Sequence, residues 1–210
     1  PGRQTSILWI GRTMNMPLKE SKEQTTRDKN IILIGGGDIE PIFHDLGEQN
    51  IFKGKRTGYV IVATETMPAL NTSVRTSERK LRQVAMNYGA KKFIYIDSSN
   101  LNTLFAQNVV IIAGGDTDHL IKQFKVHEFS KKIRISSSVE TIVGISAGAI
   151  ALASSGISRI KNDGELVSGF GLIPVIVVPH STAETRNKYP DFLHLQEKQM
   201  VHFKCEFNDI

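Results

Sequence analysis

The chain has 210 residues, of which 40% are hydrophobic, and it carries a formal net charge of +5 at pH 7. This length fits one domain with a substantial buried core. No run of about 18 apolar residues is present, and the N-terminus lacks the pattern of a signal peptide, so we predict a cytoplasmic protein with no membrane partner. The single cysteine, Cys205, excludes an internal disulfide framework and a cysteine-rich zinc site.

The positive charge is gathered in short clusters such as Lys53-Gly54-Lys55-Arg56. Acidic residues lie between these clusters and no ladder of aromatic residues accompanies them, so we expect no nucleic-acid partner. The charge indicates at most a preference for small acidic ligands.

Two regions follow each other along the chain. Residues 1–29 are mostly polar without a sustained period, and we predict an extension that carries no function. Residues 30–210 are predicted to form one α/β domain, because short β-branched runs alternate there with helix-like segments. The predicted strands are 31–34, 58–62, 93–96, 109–113 and 141–144, and the predicted helices are 40–48, 74–88, 117–136 with a break, and 147–154. An Asn-Asp-Gly turn at 162–164 predicts a hairpin between the runs 157–160 and 165–167.

The segment GISAG at 144–148 places a serine between an apolar strand and an Ala-rich helix start. This is the setting of a nucleophile elbow, in which small residues two positions before and after the serine let strand and helix pass closely. Ser146 is therefore a candidate nucleophile. An ordinary Gly/Ser loop is the alternative.

The segment AGGDT at 113–117 follows the most apolar strand of the chain. Sites in open α/β sheets gather at such strand ends. Gly115 is therefore predicted to supply one half of an oxyanion hole and the amide of Ala147 the other. Asp116 or Thr117 can also cap the following helix, and the two roles are compatible.

The segment VPHST at 178–182 follows the apolar run 173–178. A histidine at the end of a buried strand can accept the proton of a serine and later return it, so His180 is the candidate general base. The segment GGGD at 35–38 does not complete a dinucleotide fingerprint, because Glu40 stands where the last glycine would fall. It is predicted to be a tight turn that lines the same sheet edge.

Taken together, these segments resemble the dipeptidase E and cyanophycinase family of serine peptidases. The similarity covers roughly residues 30–190 and rests on IIAGGDTDHL, GISAGAIALA and GFGLIPVIVVPHS, which occur in the family's order. The resemblance implies a three-layer, doubly wound, mostly parallel α/β sheet similar to that of class I glutamine amidotransferases. It also implies a serine hydrolase that acts on small peptides and requires no metal or organic cofactor.

The resemblance extends to individual residues. The nucleophile, its base and the two oxyanion donors correspond to Ser146, His180, Gly115 and Ala147. In the dipeptidase E branch the acid lies on an Asn-Asp turn between serine and histidine, which points to Asp163, with Glu165 as the near alternative. In cyanophycinase-like members the acid is a glutamate beyond the histidine, in a late Asp-Glu motif that this sequence lacks.

The candidate substrate-binding residues are Arg186 and Asp116. The stretch Glu184-Thr185-Arg186 resembles one that follows the catalytic histidine of dipeptidase E, where the arginine is associated with recognition of an N-terminal aspartate. A guanidinium suits this task because it grips a carboxylate with two parallel hydrogen bonds. A solvated helix charge is the alternative role for Arg186.

The family continues into further strands after the helix that follows histidine, whereas this sequence has MVHFKCEFNDI there. Two other functions also stay open. One is a serine esterase or acyl hydrolase, since the chain order Ser, Asp, His suits α/β-hydrolases equally. The other is a non-catalytic, amidotransferase-like binding module that has lost its activity together with the missing strands. Whether the chain forms a homodimer is also open.

Overall fold

A computed structural model of the chain describes residues 27–158 and 164–207. The predicted extension at 1–29 therefore lies almost entirely outside the described residues. The strands are β1 (Arg27–Ile34), β2 (Arg56–Val60), β3 (Lys92–Ile96), β4 (Val109–Ile112), β5 (Thr141–Ile145), β6 (Ala153–Ser158), β7 (Glu165–Ser168), β8 (Ile173–Val178), β9 (Leu193–His194) and β10 (Met200–Phe207). The helices are α1 (Ile39–Glu48), α2 (Pro68–Thr76), α3 (Glu78–Asn87), α4 (Thr117–Val126), α5 (Phe129–Ile135), α6 (Ala147–Leu152) and α7 (Ala183–Lys188). Two 3-10 segments span Val62–Thr64 and Ser98–Ala106.

The strand predictions are confirmed, and two helix predictions need correction. All five predicted strands are present as β1 to β5. Two helices, α2 and α3, replace the single helix predicted at 74–88. The first begins earlier than predicted, because Pro68 starts it. The two are separated at Ser77, where ψ is −8°. The predicted helix at 147–154 ends at Leu152, because the chain passes directly from α6 into β6.

The larger sheet places five strand ends on one edge. Its order is β10-β1-β5-β4-β2-β3, and all neighbours except β10 and β1 run parallel. Parallel strands have their carboxyl ends on the same edge, where sites form in such sheets. Because β5 lies between β1 and β4, the loop after β5 is flanked by the glycine-rich loops after those two strands.

Helices cover both faces of this sheet. Alternate residues of one strand enter opposite cores: Ile31 and Leu33 of β1 pack with residues of α4 to α6, whereas Ile32 and Ile34 pack with residues of α1 and α3. All four side chains are fully buried. Continuous apolar runs such as residues 31–34 occur because both faces of the sheet are covered there.

A smaller sheet and the C-terminal strand complete the described part. The smaller sheet has the order β7-β6-β8-β9, and the antiparallel pair of β6 and β7 confirms the predicted hairpin. The segment MVHFKCEF forms β10, which pairs antiparallel with β1 over its full length. The binding-module alternative assumed that strands were missing here, and β10 removes this argument for it. No helix within residues 27–158 and 164–207 is long and apolar enough to cross a bilayer.

Candidate active site

Ser146 lies on a strained turn between β5 and α6. Its φ of 50° and ψ of −106° fall outside the conformations that L-residues ordinarily adopt. The neighbouring glycines are needed for steric reasons: a Cβ on Gly144 would lie 2.6 Å from the carbonyl oxygen of Gly148, and one on Gly148 would lie 2.4 Å from that of Ile112. The spacing of GISAG therefore follows from the close passage of β5, α6 and β4.

His180 follows the end of β8 and faces this serine. Its Nε2 lies 2.9 Å from the Oγ of Ser146, which is hydrogen-bond distance. The φ of His180 is also positive, at 51°. Its ring lies over Gly36, where a Cβ would be 2.1 Å from the ring carbon Cε1. The structure thus brings Ser146 and His180, the predicted nucleophile and the predicted general base, within hydrogen-bond distance.

Three successive carbonyls at the end of β1 hold three segments of the site. The acceptor and donor residues, with their O···N distances, are Ile34 and Ser146 (2.9 Å), Gly35 and His180 (3.1 Å), and Gly36 and Lys198 (2.9 Å). A Cβ on Gly35 would lie 2.2 Å from the backbone oxygen of Gln196. The segment GGGD is therefore a point of close backbone packing at the edge of the sheet that carries Ser146, while its prediction as a tight turn stays a prediction.

The other ring nitrogen of His180 faces Glu197, in the loop between β9 and β10. Nδ1 lies 3.7 Å from Oε1 of Glu197, which is close enough for an ion pair and too long for a hydrogen bond. Both side chains reach solvent, with exposed fractions of 39% for His180 and 68% for Glu197. Of the carboxylates in the described ranges, only that of Glu197 comes within ion-pair distance of the His180 ring.

The acids predicted from the sequence have different positions. Asp163, the first choice, lies outside the described residues. Glu165 begins β7, where it is exposed and pairs with Ser158 at the edge of the smaller sheet. Glu197 was not predicted from the sequence, because Gln196 stands before it where the family's motif has aspartate. The available signal was an acid in a short loop just before the last apolar run.

The predicted oxyanion donors lie on either side of Ser146. Ala147 is buried and begins α6, so its amide has no acceptor within the helix. A Cβ on Gly114 would lie 3.1 Å from the Cβ of Ser146, so the end of β4 packs against the serine. Gly115 follows with a φ of +136°, and a Cβ there would lie 2.2 Å from the carbonyl oxygen of Ala63. Only glycine at position 115 therefore lets the backbone come this close to Ala63.

Asp116 caps α4, as the sequence allowed. Its Oδ1 accepts a hydrogen bond from the amide of His119 at 3.0 Å, and its Oδ2 accepts one from the hydroxyl of Thr66 at 2.9 Å. Arg186 is exposed on α7, which is capped by Thr182 and begins shortly after His180. No carboxylate of the described residues lies within ion-pair distance of the Arg186 guanidinium. Binding of substrate by Asp116 and Arg186 stays a prediction.

The described residues contain no group of three or more His, Cys, Asp or Glu side chains arranged to hold a metal ion.

The profile of peptidase family S51 matches residues 74–203. The chain belongs to peptidase family S51. The match includes the segments that carry Ser146, His180 and Glu197, and it confirms the resemblance to the dipeptidase E family. The protein is therefore a serine peptidase, which favours peptide hydrolysis over the esterase alternative. The binding-module alternative predicts no covalent modification of Ser146. No curated protein sequence matches this chain.

Two solved structures are similar to this S51 peptidase. A peptidase E candidate from Listeria monocytogenes EGD-e aligns with a TM-score of 0.62 and 15% identity, over 87% of this chain and 98% of its own. A peptidase from an acI-B1 Actinobacterium aligns with a TM-score of 0.58 and 18% identity, over 86% of this chain and 85% of its own. At these identities the similarity establishes the fold, which is the expected class I glutamine amidotransferase-like arrangement.

The packing of His180 on Gly36 leads to a first prediction. In Gly36→Ala the added methyl group must displace the imidazole ring, since it would lie 2.1 Å from Cε1. We expect the rate at which a small fluorophosphonate modifies Ser146 to fall about 100-fold, because a shift of about 1 Å in a reacting group has that effect. Intact mass spectrometry of timed samples measures this rate.

Gly54→Ala is the matched control for this substitution. Gly54 also has a positive φ, +73°, but a Cβ there meets no atom within 4 Å. The variant therefore also places an alanine at a positive φ, without touching the site, and its labelling rate should equal that of the wild type. Equal rates in the two alanine variants would contradict the prediction.

Proposed function

We propose that this S51 peptidase hydrolyses short peptides with Ser146 as nucleophile and His180 as general base. The observation that carries the proposal is the 2.9 Å contact between Ser146 Oγ and His180 Nε2 on a strained elbow. A serine hydroxyl is a weak nucleophile until an adjacent base can take its proton. The positive φ of Ser146 supports this role, because strained backbone of this kind is retained where function requires it.

The reaction proceeds in two steps. In the first, His180 accepts the hydroxyl proton while Ser146 Oγ attacks the peptide carbonyl, and the same proton then passes to the leaving amine. The negative charge that develops on the carbonyl oxygen is stabilised by the amides of Gly115 and Ala147. In the second step, water gives a proton to His180 and its oxygen attacks the acyl ester. His180 then returns this proton to Ser146 Oγ as the ester bond breaks, which releases the product acid and restores the serine.

We assign the third position of the triad to Glu197. Its carboxylate faces Nδ1 of His180 at 3.7 Å, so the ring can keep its Nδ1 proton toward the acid and leave Nε2 free to accept the serine proton. The negative charge also favours the imidazolium that forms during the reaction. Asp163 is the competing assignment, and it lies in the segment outside the described residues.

The proposed substrate is a short peptide with an N-terminal aspartate. The exposed guanidinium of Arg186 lies on α7, shortly after His180 in the chain, and no carboxylate of the described residues occupies it. It is therefore available to a substrate carboxylate, which it can hold with two parallel hydrogen bonds. The resemblance of Glu184-Thr185-Arg186 to the corresponding stretch of dipeptidase E supports the same substrate. A cytoplasmic location stays a prediction.

The first test is covalent modification of the nucleophile. We expect a fluorophosphonate to add one group to the wild type and none to Ser146→Ala, since only an activated serine reacts readily with this reagent. Ser154→Ala is the matched control, because Ser154 is an exposed serine on β6 away from the elbow. An adduct that persists in Ser146→Ala, or no adduct in folded wild type, would refute Ser146 as the nucleophile.

The second test separates the two acids. We expect Glu197→Gln to lower kcat about 10- to 100-fold, less than the loss seen for a buried triad acid, because the contact is long and partly solvated. Asp163→Asn should change kcat by less than about twofold, which is a smaller loss than removal of a triad residue causes. Steady-state hydrolysis of a dipeptide by the two variants measures both effects. The reverse ranking would assign the acid to Asp163.

The third test concerns substrate selection. Arg186→Gln should lower kcat/KM for Asp-Xaa dipeptides by about 10- to 100-fold, the value of a hydrogen-bonded charge pair of about 1.5–3 kcal/mol. It should leave kcat/KM for Ala-Xaa dipeptides unchanged. Lys188→Gln removes a cation from the same helix and should change neither value. An equal loss on both substrates in Arg186→Gln would refute recognition of aspartate by this residue.

A further inference from the structure

Three polar contacts join the segment after β2 to the first turn of α4. The amide of Asp116 donates to the carbonyl of Ala63 at 2.7 Å. The hydroxyl of Thr66 donates to Oδ2 of Asp116 at 2.9 Å, and Nε2 of His119 lies 3.0 Å from Oε2 of Glu65. We call these contacts between segments 63–66 and 116–119 the clasp. Gly115 lies directly before segment 116–119 of the clasp.

The pair of Glu65 and His119 is the more enclosed of the two side-chain contacts of the clasp. Their side chains are 19% and 20% exposed. The other oxygen of Glu65, Oε1, accepts a hydrogen bond from the amide of Ser98 at 2.8 Å. The carboxylate therefore joins the segments that follow β2, β3 and β4, and since a carboxylate only accepts, His119 Nε2 is the donor in the pair.

The clasp bears directly on the conformation of Gly115. The backbone of Gly115 lies against the carbonyl of Ala63, and the next amide, that of Asp116, binds the same carbonyl. The preceding residue, Gly114, packs against Ser146. A movement of segment 63–66 relative to α4 would therefore move the peptide that carries the Gly115 amide.

We infer that Glu65 and His119 are positioning residues that hold the Gly115 amide where the oxyanion forms. The inference rests on the proposed function, in which Gly115 is an oxyanion donor. Neither side chain has a recorded contact with Ser146 or His180 among the described residues, so they act through the backbone. Loss of an oxyanion donor lowers the rate of acyl transfer by about 100- to 1,000-fold, and a misplaced donor gives part of that loss.

Alanine and glutamine substitutions separate positioning from general packing. Glu65→Ala and His119→Ala each remove the contact, and we expect the maximal labelling rate of Ser146 by fluorophosphonate to fall about 10- to 100-fold. The reagent concentration at half-maximal rate should stay unchanged. In His119→Gln the amide nitrogen can still donate to Glu65. In Glu65→Gln the amide oxygen can accept from Ser98 while the amide nitrogen donates to Nε2 of His119, whose proton then lies on Nδ1. Both variants should therefore retain labelling within about threefold. The double alanine variant should lose no more than the larger single loss, because both residues act through one contact.

Hydrogen–deuterium exchange tests the clasp independently of activity. We expect exchange in a peptide covering 113–118 to increase in both alanine variants and to remain near wild type in the glutamine variants. His44→Gln is the control for loss of an imidazole: His44 lies on α1 with its ring nitrogen 3.4 Å from the hydroxyl of Tyr88, and the change should affect neither exchange at 113–118 nor labelling.

The outcomes separate the inference from the proposed function. Unchanged exchange at 113–118 in the alanine variants would overturn the inference, and so would increased exchange with an unchanged labelling rate. A rise in exchange together with the loss of labelling supports it. Wild type that forms no adduct would refute the proposed function, and the exchange result alone would then decide whether the clasp holds this loop.

Discussion

The backbone carbonyls of Ile34, Gly35 and Gly36 set the geometry of the site, because they fix three segments that are distant in sequence. Each carbonyl accepts a hydrogen bond from a different segment, and those segments carry the nucleophile, the base and the proposed acid. These hydrogen bonds join main-chain atoms, so they fix the backbone position of each reacting residue whatever rotamer its side chain adopts. Glycine is required at this point because a Cβ at either glycine would meet backbone or the imidazole. Loss of these three hydrogen bonds would separate the reacting groups without changing any of their side chains.

The parts of the site that could be predicted from sequence are those encoded by local constraints. GISAG predicted the elbow because steric contact between β5, α6 and β4 restricts the residues near Ser146 to small ones. The strands were predictable because both faces of the sheet are covered, which leaves continuous apolar runs. His180 could be predicted from its place at the end of such a run. In each case the residues that signal the structure lie within a few positions of the feature.

The features that sequence did not reveal depend on contacts between distant segments. Glu197 faces His180 because its loop is bound to the end of β1. The sequence shows an acid in a short loop, but it does not show that this loop reaches His180. The final segment alternates exposed residues such as His202 and Lys204 with packed ones such as Phe203, which is the period of a half-covered strand. Its partner, β1, lies at the other end of the described chain, so the pairing could not be inferred from that alternation.

The pairing of β1 with β10 also bears on when the enzyme becomes active during its own synthesis. β1 is synthesised before the other described strands, yet its third site carbonyl and one entire edge are paired only with residues 198–207, which are synthesised after the other residues of the site. Contacts of such large sequence separation form late, since the intervening chain must first be ordered. A nascent chain can therefore contain the serine elbow while the loop that faces the imidazole does not yet exist. Assembly of the complete site is in this way coupled to synthesis of residues 198–207.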